Sequence, residues 1–124
     1  MDERVKDPLT QKIIACCFEV HKELGPGFPE KIYHTALILC LANAGIAFEN
    51  EKEFIVNFKG KKVGMFRCDL LVERSVIVEL KSVTGIMPKL FRNQVISYLK
   101  ASGIRTGLLI NFGNESCDLK RISV

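Results

Sequence analysis

Val76-Ile77-Val78-Glu79-Leu80-Lys81 reads as a strand that begins wholly apolar and ends on two charges. Side chains alternate across a strand, so Val76, Val78 and Leu80 share one face while Ile77, Glu79 and Lys81 share the other. Apolar character on both faces up to Val78 predicts a central strand covered on two sides. Charges at its end are then costly to bury without a partner. The preceding segment, Cys68 to Val72, supplies one. If Glu73-Arg74-Ser75 form a three-residue loop, Val72 faces Val76, Leu71 faces Ile77, Leu70 faces Val78 and Asp69 faces Glu79. Opposed residues have Cβ atoms roughly 5 Å apart, and like charges so placed repel. A hard divalent cation turns that repulsion into binding, because it takes carboxylate oxygens and keeps several waters. Lys81 reaches the same place as a cation able to orient a water. A solvated edge strand carries Glu-x-Lys strings too, so these three residues alone do not decide the matter.

Outward from that strand, the period of the apolar residues sets the remaining elements. Leu9, Ile13, Cys16, Cys17, Val20 and Leu24 recur at helical spacing, with Thr10 as the expected N-cap and Gly25-Pro26-Gly27 as the stop. Pro29 suits the first turn of a second helix running to about Asn43 before Gly45. That helix is apolar over most of its circumference, which predicts packing on more than one side. Ala47 to Phe58 reads as one extended segment, returning through Lys59-Gly60-Lys61-Lys62 into Val63 to Phe66. A third helix opens at Pro88 and closes near Gly103; Thr106 to Phe112 is an apolar strand, and Cys117 to Ile122 a candidate for a short last one. The order ααββββαβ, with that last strand in addition, predicts an α/β fold with a mixed central sheet flanked by helices.

Composition narrows the function classes. The chain of 124 residues, 48% hydrophobic, carries no repeat or linker-like stretch, so one domain spanning 1–124 is expected. A formal charge of +4 tilts the expectation weakly toward a polyanionic partner. Five cysteines, odd in number and without a CxxC pair, argue against zinc and iron–sulfur sites and for buried free thiols in a reducing cytoplasm. No secretory signal is visible, and the apolar run from Ile32 to Ala47 is too short and interrupted to span a bilayer. His21 and His34 lie on different predicted helices with no carboxylate or Cys at metal spacing, so they read as surface or boundary residues.

Two further segments join the acid pair. Gln94 and Tyr98 are four apart and share a helix face. Glu30 and Tyr33 are three apart just after the Gly-Pro-Gly turn, where Glu30 complements the positive end of the helix dipole. Read singly, each has an ordinary structural explanation. In order, however, Gly27-x-x-Glu30-x-x-Tyr33, Asp69, Glu79-x-Lys81 and Gln94-x-x-x-Tyr98 resemble the small bacterial and archaeal GxxExxY proteins of the PD-(D/E)XK nuclease superfamily. The resemblance runs from about Leu9 to Phe112 and includes the strand Gly107 to Phe112. It implies a restriction-endonuclease-like core. Asp69 and Glu79 would be metal ligands with the Leu80 carbonyl and Glu30, Lys81 would sit beside the attacking water, and Gln94 and Tyr98 would line the site. Cys68 stands where the superfamily name has Pro.

The expected function is therefore Mg²⁺- or Mn²⁺-dependent hydrolysis of phosphodiester bonds in nucleic acid, with DNA the favoured substrate. Arg67, Lys89, Arg92 and Lys100 are the basic residues near the site by position. The rival is a non-catalytic nucleic-acid-binding or protein-interaction module retaining the fold, in which Glu79 and Lys81 would form an ion pair. A chain this short leaves no room for a separate specificity domain. The expectation is a homodimer, targeting by a partner protein, or cleavage with little sequence preference, in the cytoplasm and without a membrane.

Overall fold

The computed structural model describes residues 7–124, and its elements follow from local chemistry. Helix α1 spans Pro8–Leu24. Its N-cap is Asp7, not Thr10: the Asp7 carboxylate accepts the Thr10 amide at 3.1 Å, and Pro8 occupies the first turn where its missing N–H is no loss. Thr10 lies inside the helix, buried, with its hydroxyl donating to the same carboxylate. Arg121 pairs with Asp7 at 3.2 Å and ties the start of the chain to its last strand. Helix α2 spans Glu30–Asn43 and buries only Tyr33, Leu37 and Leu41. Ile32 and Leu39 remain 41% and 61% exposed, so the helix buries one stripe and is not enclosed. Apolar composition alone misleads here, because no described residue packs over the second side of α2.

The extended stretch after α2 is two strands, β1 (Phe48–Asn50) and β2 (Glu53–Phe58), not one. Glu51 breaks it by taking a left-handed φ of 51°. Lys59 and Gly60 both have positive φ, which makes a two-residue hairpin, and strand β3 (Lys61–Arg67) therefore starts earlier than the lysine run suggests. Strands β4 (Leu70–Val72) and β5 (Val76–Lys81) follow, then α3 (Lys89–Ser102), β6 (Thr106–Asn111) and β7 (Asp118–Ser123).

Strands β1-β4-β5-β6-β7 form a five-stranded mixed sheet, while β2 and β3 form a separate two-stranded hairpin. Strand β5 is central, antiparallel to β4 and parallel to β6. The three-residue loop holds, so Val72 faces Val76, Leu71 faces Ile77 and Leu70 faces Val78. The two faces of β5 feed two cores. Val76, Val78 and Leu80 pack with α1 and α2, whereas Ile77 packs with Cys68, Val95, Leu99 and Leu109 under α3. Helix α3 approaches β6 closely because Gly107 lacks a side chain: a Cβ there would stand 2.7 Å from Val95. Among the described residues no helix is long and apolar enough to cross a membrane.

Candidate functional site

The charged end of β5 meets the start of β4. Asp69 lies one residue before the ladder, yet its amide donates to Glu79 Oε1 at 2.8 Å. In return the Leu80 amide donates to Asp69 Oδ2, also at 2.8 Å. Each carboxylate thus spends one oxygen on the other's strand and keeps the second. The position of Asp69 is braced from behind. The Glu51 amide donates to the Asp69 carbonyl at 2.8 Å, and the Cys68 amide to the Lys52 carbonyl at 3.0 Å. The kink that splits β1 from β2 therefore holds the first acid in place.

Burial disfavours the charged form of an acid, and a neighbouring negative charge does so further. Burial pushes Glu79, 5% exposed, up to about 8, with the Asp69 charge adding to it. Asp69 is raised by burial as well, and the Leu80 amide, His34 and Lys81 pull it back. Glu30, on the first turn of α2, is raised by burial and then by the charge of Asp69. No ion pair joins Glu79 to Lys81 among the described residues. The Lys81 ammonium instead sits 4.4 Å from the centre of the Phe91 ring.

Two clefts open nearby, one reaching Asp69 and the other Lys81. One, of about 550 Å³, is lined by Glu30, His34, Asn50, Glu51 and Asp69 among others. The other, of about 380 Å³, runs from Lys81 along α3 past Phe91 and Gln94. Gln94 Oε1 is buried there without a hydrogen-bond partner among the described residues. Tyr98 stacks on Phe66 with ring centres 4.1 Å apart, and its hydroxyl is raised by burial and then by the charges of Glu79 and Asp69.

The family model that matches this chain, over residues 7–122, describes the PD-(D/E)XK nuclease superfamily. The chain belongs to that superfamily. No curated protein matches it. The crystal structure of SSO0001 is similar in fold, with a TM-score of 0.60 and 23% identity, over 75% of this chain and 48% of that one. The chain spans about half the length of that protein.

In this PD-(D/E)XK fold the residues singled out from sequence do not all stand alike. Glu30, Asp69, Glu79 and Lys81 share one electrostatic neighbourhood. Gln94 belongs to the α3 cleft beside Lys81, and Tyr98 borders the acids from the same helix. Leu80 sends its side chain into the core and offers its backbone to the site. Tyr33 is structural. Fully buried, it stacks on Phe112 at 4.6 Å, donates to the Gly25 carbonyl at 2.5 Å and accepts the Phe28 amide at 3.2 Å. It clamps the Gly-Pro-Gly turn from which Glu30 emerges.

Several neighbours lie outside the predicted set, among them His34, which reads from sequence as a surface or boundary residue although Glu30 stands four residues before it. His34 lies one turn beyond Glu30, bonded through Nε2 to Asn50 Oδ1 at 2.8 Å, and its charge lowers the pKa of Asp69 and Glu30. Its i,i+4 relation to Glu30 was a usable signal. Asn111 and Asn114 were not legible. Fully buried Asn111 bonds both the amide and the carbonyl of Val83 at 2.9 Å, and Asn114 bonds both of Gly85 at 2.8 Å. These two amides hold the loop that follows Lys81. Gly113 belongs to the same device, since a Cβ there would stand 2.2 Å from the Val83 carbonyl oxygen.

The donor chemistry fits a hard cation. Asp69, Glu79 and Glu30 offer oxygens only. The one nearby thiol, Cys68, points at the Leu70 carbonyl at 3.5 Å and is pushed up to about 12 by burial, so it stays protonated. Among the described residues no three acidic, His or Cys side chains close around one point. Two carboxylates completed by backbone oxygen and waters suit Mg²⁺ or Mn²⁺, which keep part of their hydration.

Proposed function

We propose that this chain is a GxxExxY-type, metal-dependent nuclease that hydrolyses phosphodiester bonds of nucleic acid, with DNA as its substrate. The observation that carries the reading is the Asp69–Glu79 pair: two buried carboxyl groups locked together by reciprocal backbone bonds, with no cation ion-paired to either among the described residues. Asp69, Glu79 and the Leu80 carbonyl would hold the cation, with Glu30 completing its surroundings through water. A divalent ion in that place supplies Lewis-acid stabilisation of the phosphate and a lowered pKa for a water.

The chain's own residues do the rest. Lys81, released from Phe91, places an ammonium beside the attacking water and the phosphate oxygens. Glu30, its carboxyl raised above the ordinary range, accepts a proton from that water. Gln94 presents a buried oxygen, without a partner among the described residues, to a donor on the substrate or a bound water. Tyr98 walls the site from α3.

The test is incubation with Mn²⁺ and labelled single- and double-stranded DNA and RNA. Glu79→Ala and Lys81→Ala should each lower cleavage by about a hundredfold or more while leaving the circular dichroism unchanged. Full activity in both variants would refute the assignment. Calorimetry with Mn²⁺ separates the non-catalytic alternative, because metal uptake should depend on Asp69 and Glu79.

A further inference from the structure

The β2–β3 hairpin stands outside the main sheet, and its two faces differ. Phe54 and Phe66 turn inward, stacked on each other at 5.1 Å and, through Phe66, on Tyr98 at the candidate site. No described residue covers the outward face. Ile55 and Met65 are cross-strand partners there, 53% and 52% exposed, with Val63 beside them at 63%. Phe58, at the tip, is 62% exposed. Around it stand Lys59, Lys61 and Lys62, none of them paired with a carboxylate among the described residues. The Lys59 ammonium lies 5.5 Å from the Phe58 ring centre.

An apolar strip rimmed by unpaired lysines can meet a second copy of the chain or a polyanion. Charge decides between them. A second copy carries the same formal charge of +4 and the same lysine-rich tip, so packing strip on strip sets like charge against like. The same lysines attract phosphate. A duplex, however, shows an arm of this kind mainly phosphates and groove edges. An unpaired strand offers base faces, which stack on exposed aromatic and apolar side chains while flanking lysines take the backbone. The hairpin also leads to the reaction centre: β3 runs through Arg67 and Cys68 directly into Asp69. At about 3.3 Å per residue its tip lies roughly 25 Å along the strand from Asp69.

We propose that the β2–β3 hairpin, through its outer face and through the exposed tip where Phe58 extends the face of Phe54, is an arm that binds an unpaired nucleic-acid strand and feeds it to the acid pair. Phe58, Ile55, Val63 and Met65 contact bases, and Lys59, Lys61 and Lys62 contact phosphates. The substrate role of this arm rests on the nuclease reading; the binding does not.

The experiment is fluorescence anisotropy of the full chain in EDTA with labelled oligothymidine, oligouridine and a DNA duplex, across a range of salt. Binding should favour the single strands, and the two homopolymers distinguish DNA from RNA. Phe58→Ala should weaken it about fivefold or more. The triple variant Lys59→Ala, Lys61→Ala, Lys62→Ala should flatten the slope of log K against log salt by about 2, from roughly 0.7 per phosphate contact. A control triple, Lys12→Ala, Lys22→Ala, Lys120→Ala, removes the same charge from exposed positions elsewhere and should change the slope far less. Duplex preference, indifference to Phe58, or an equal effect of the control triple overturns the proposal. Glu79-dependent cleavage combined with hairpin-independent binding sinks the arm alone. Hairpin-dependent binding without cleavage of any substrate sinks the nuclease reading alone.

Discussion

Glu79→Gln isolates the electrostatic tension of the site. In the fold Glu79 ionises near 8, against an ordinary value of 4.5, because it is buried beside Asp69. Below pH 4.5 the carboxyl is neutral in both folded and unfolded chains and its burial carries no ionisation penalty. As pH rises the unfolded chain ionises first, so stability falls until the folded-state value is passed. Each pH unit across that window costs about 1.4 kcal/mol, and the loss accumulates to on the order of 4 kcal/mol by pH 8. Asp69 and Glu30, both raised, act in the same direction. Glutamine keeps an oxygen for the Asp69 amide, now at 2.8 Å from Glu79, but never ionises. In EDTA the variant should therefore show a much flatter decline in Tm between pH 5 and 8, and at pH 8 should melt roughly 15 °C above the native chain. Thermal unfolding followed by circular dichroism measures both. Added Mn²⁺ should raise Tm of the native chain at pH 8 and leave the variant nearly unmoved. Parallel pH profiles for the two proteins would refute the reasoning, since Glu79 would then carry no buried charge to relieve.

Two other perturbations test the scaffold that places the acids. Asn111→Ala removes the partners of the Val83 amide and carbonyl and of the Gly113 amide, so urea unfolding should show a loss of about 3 kcal/mol. Tyr33→Phe keeps the stack on Phe112 but strips the hydroxyl from Gly25 and Phe28; it should cost about 1 to 2 kcal/mol by the same measurement.

The acid pair was legible because a strand pair counts. Once Glu73, Arg74 and Ser75 close a three-residue loop, the positions of Asp69 and Glu79 follow from a period of two, and the ladder bears this out from Val72 to Leu70. The two-sided burial of β5 was equally readable in its apolar run. The helix caps and the extent of α2 burial were less so. Asp7 outcompetes Thr10 as cap because Pro8 sets the helix start one turn earlier, and the exposure of Leu39 depends on what its neighbours leave uncovered.

By itself, then, the sequence determined the succession of helices and strands along the chain, apart from the break at Glu51, and the pairing of Asp69 with Glu79, both consequences of short-range periodicity. Only the tertiary structure decided that Glu51 kinks the chain to brace Asp69, that Asn111 and Asn114 grip the loop after Lys81, and that β2 and β3 leave the sheet with a bare apolar face. Those outcomes join residues from distant parts of the chain. Whether a backbone group or an apolar face finds a partner is set by which remote segment packs against it, and no local pattern carries that information.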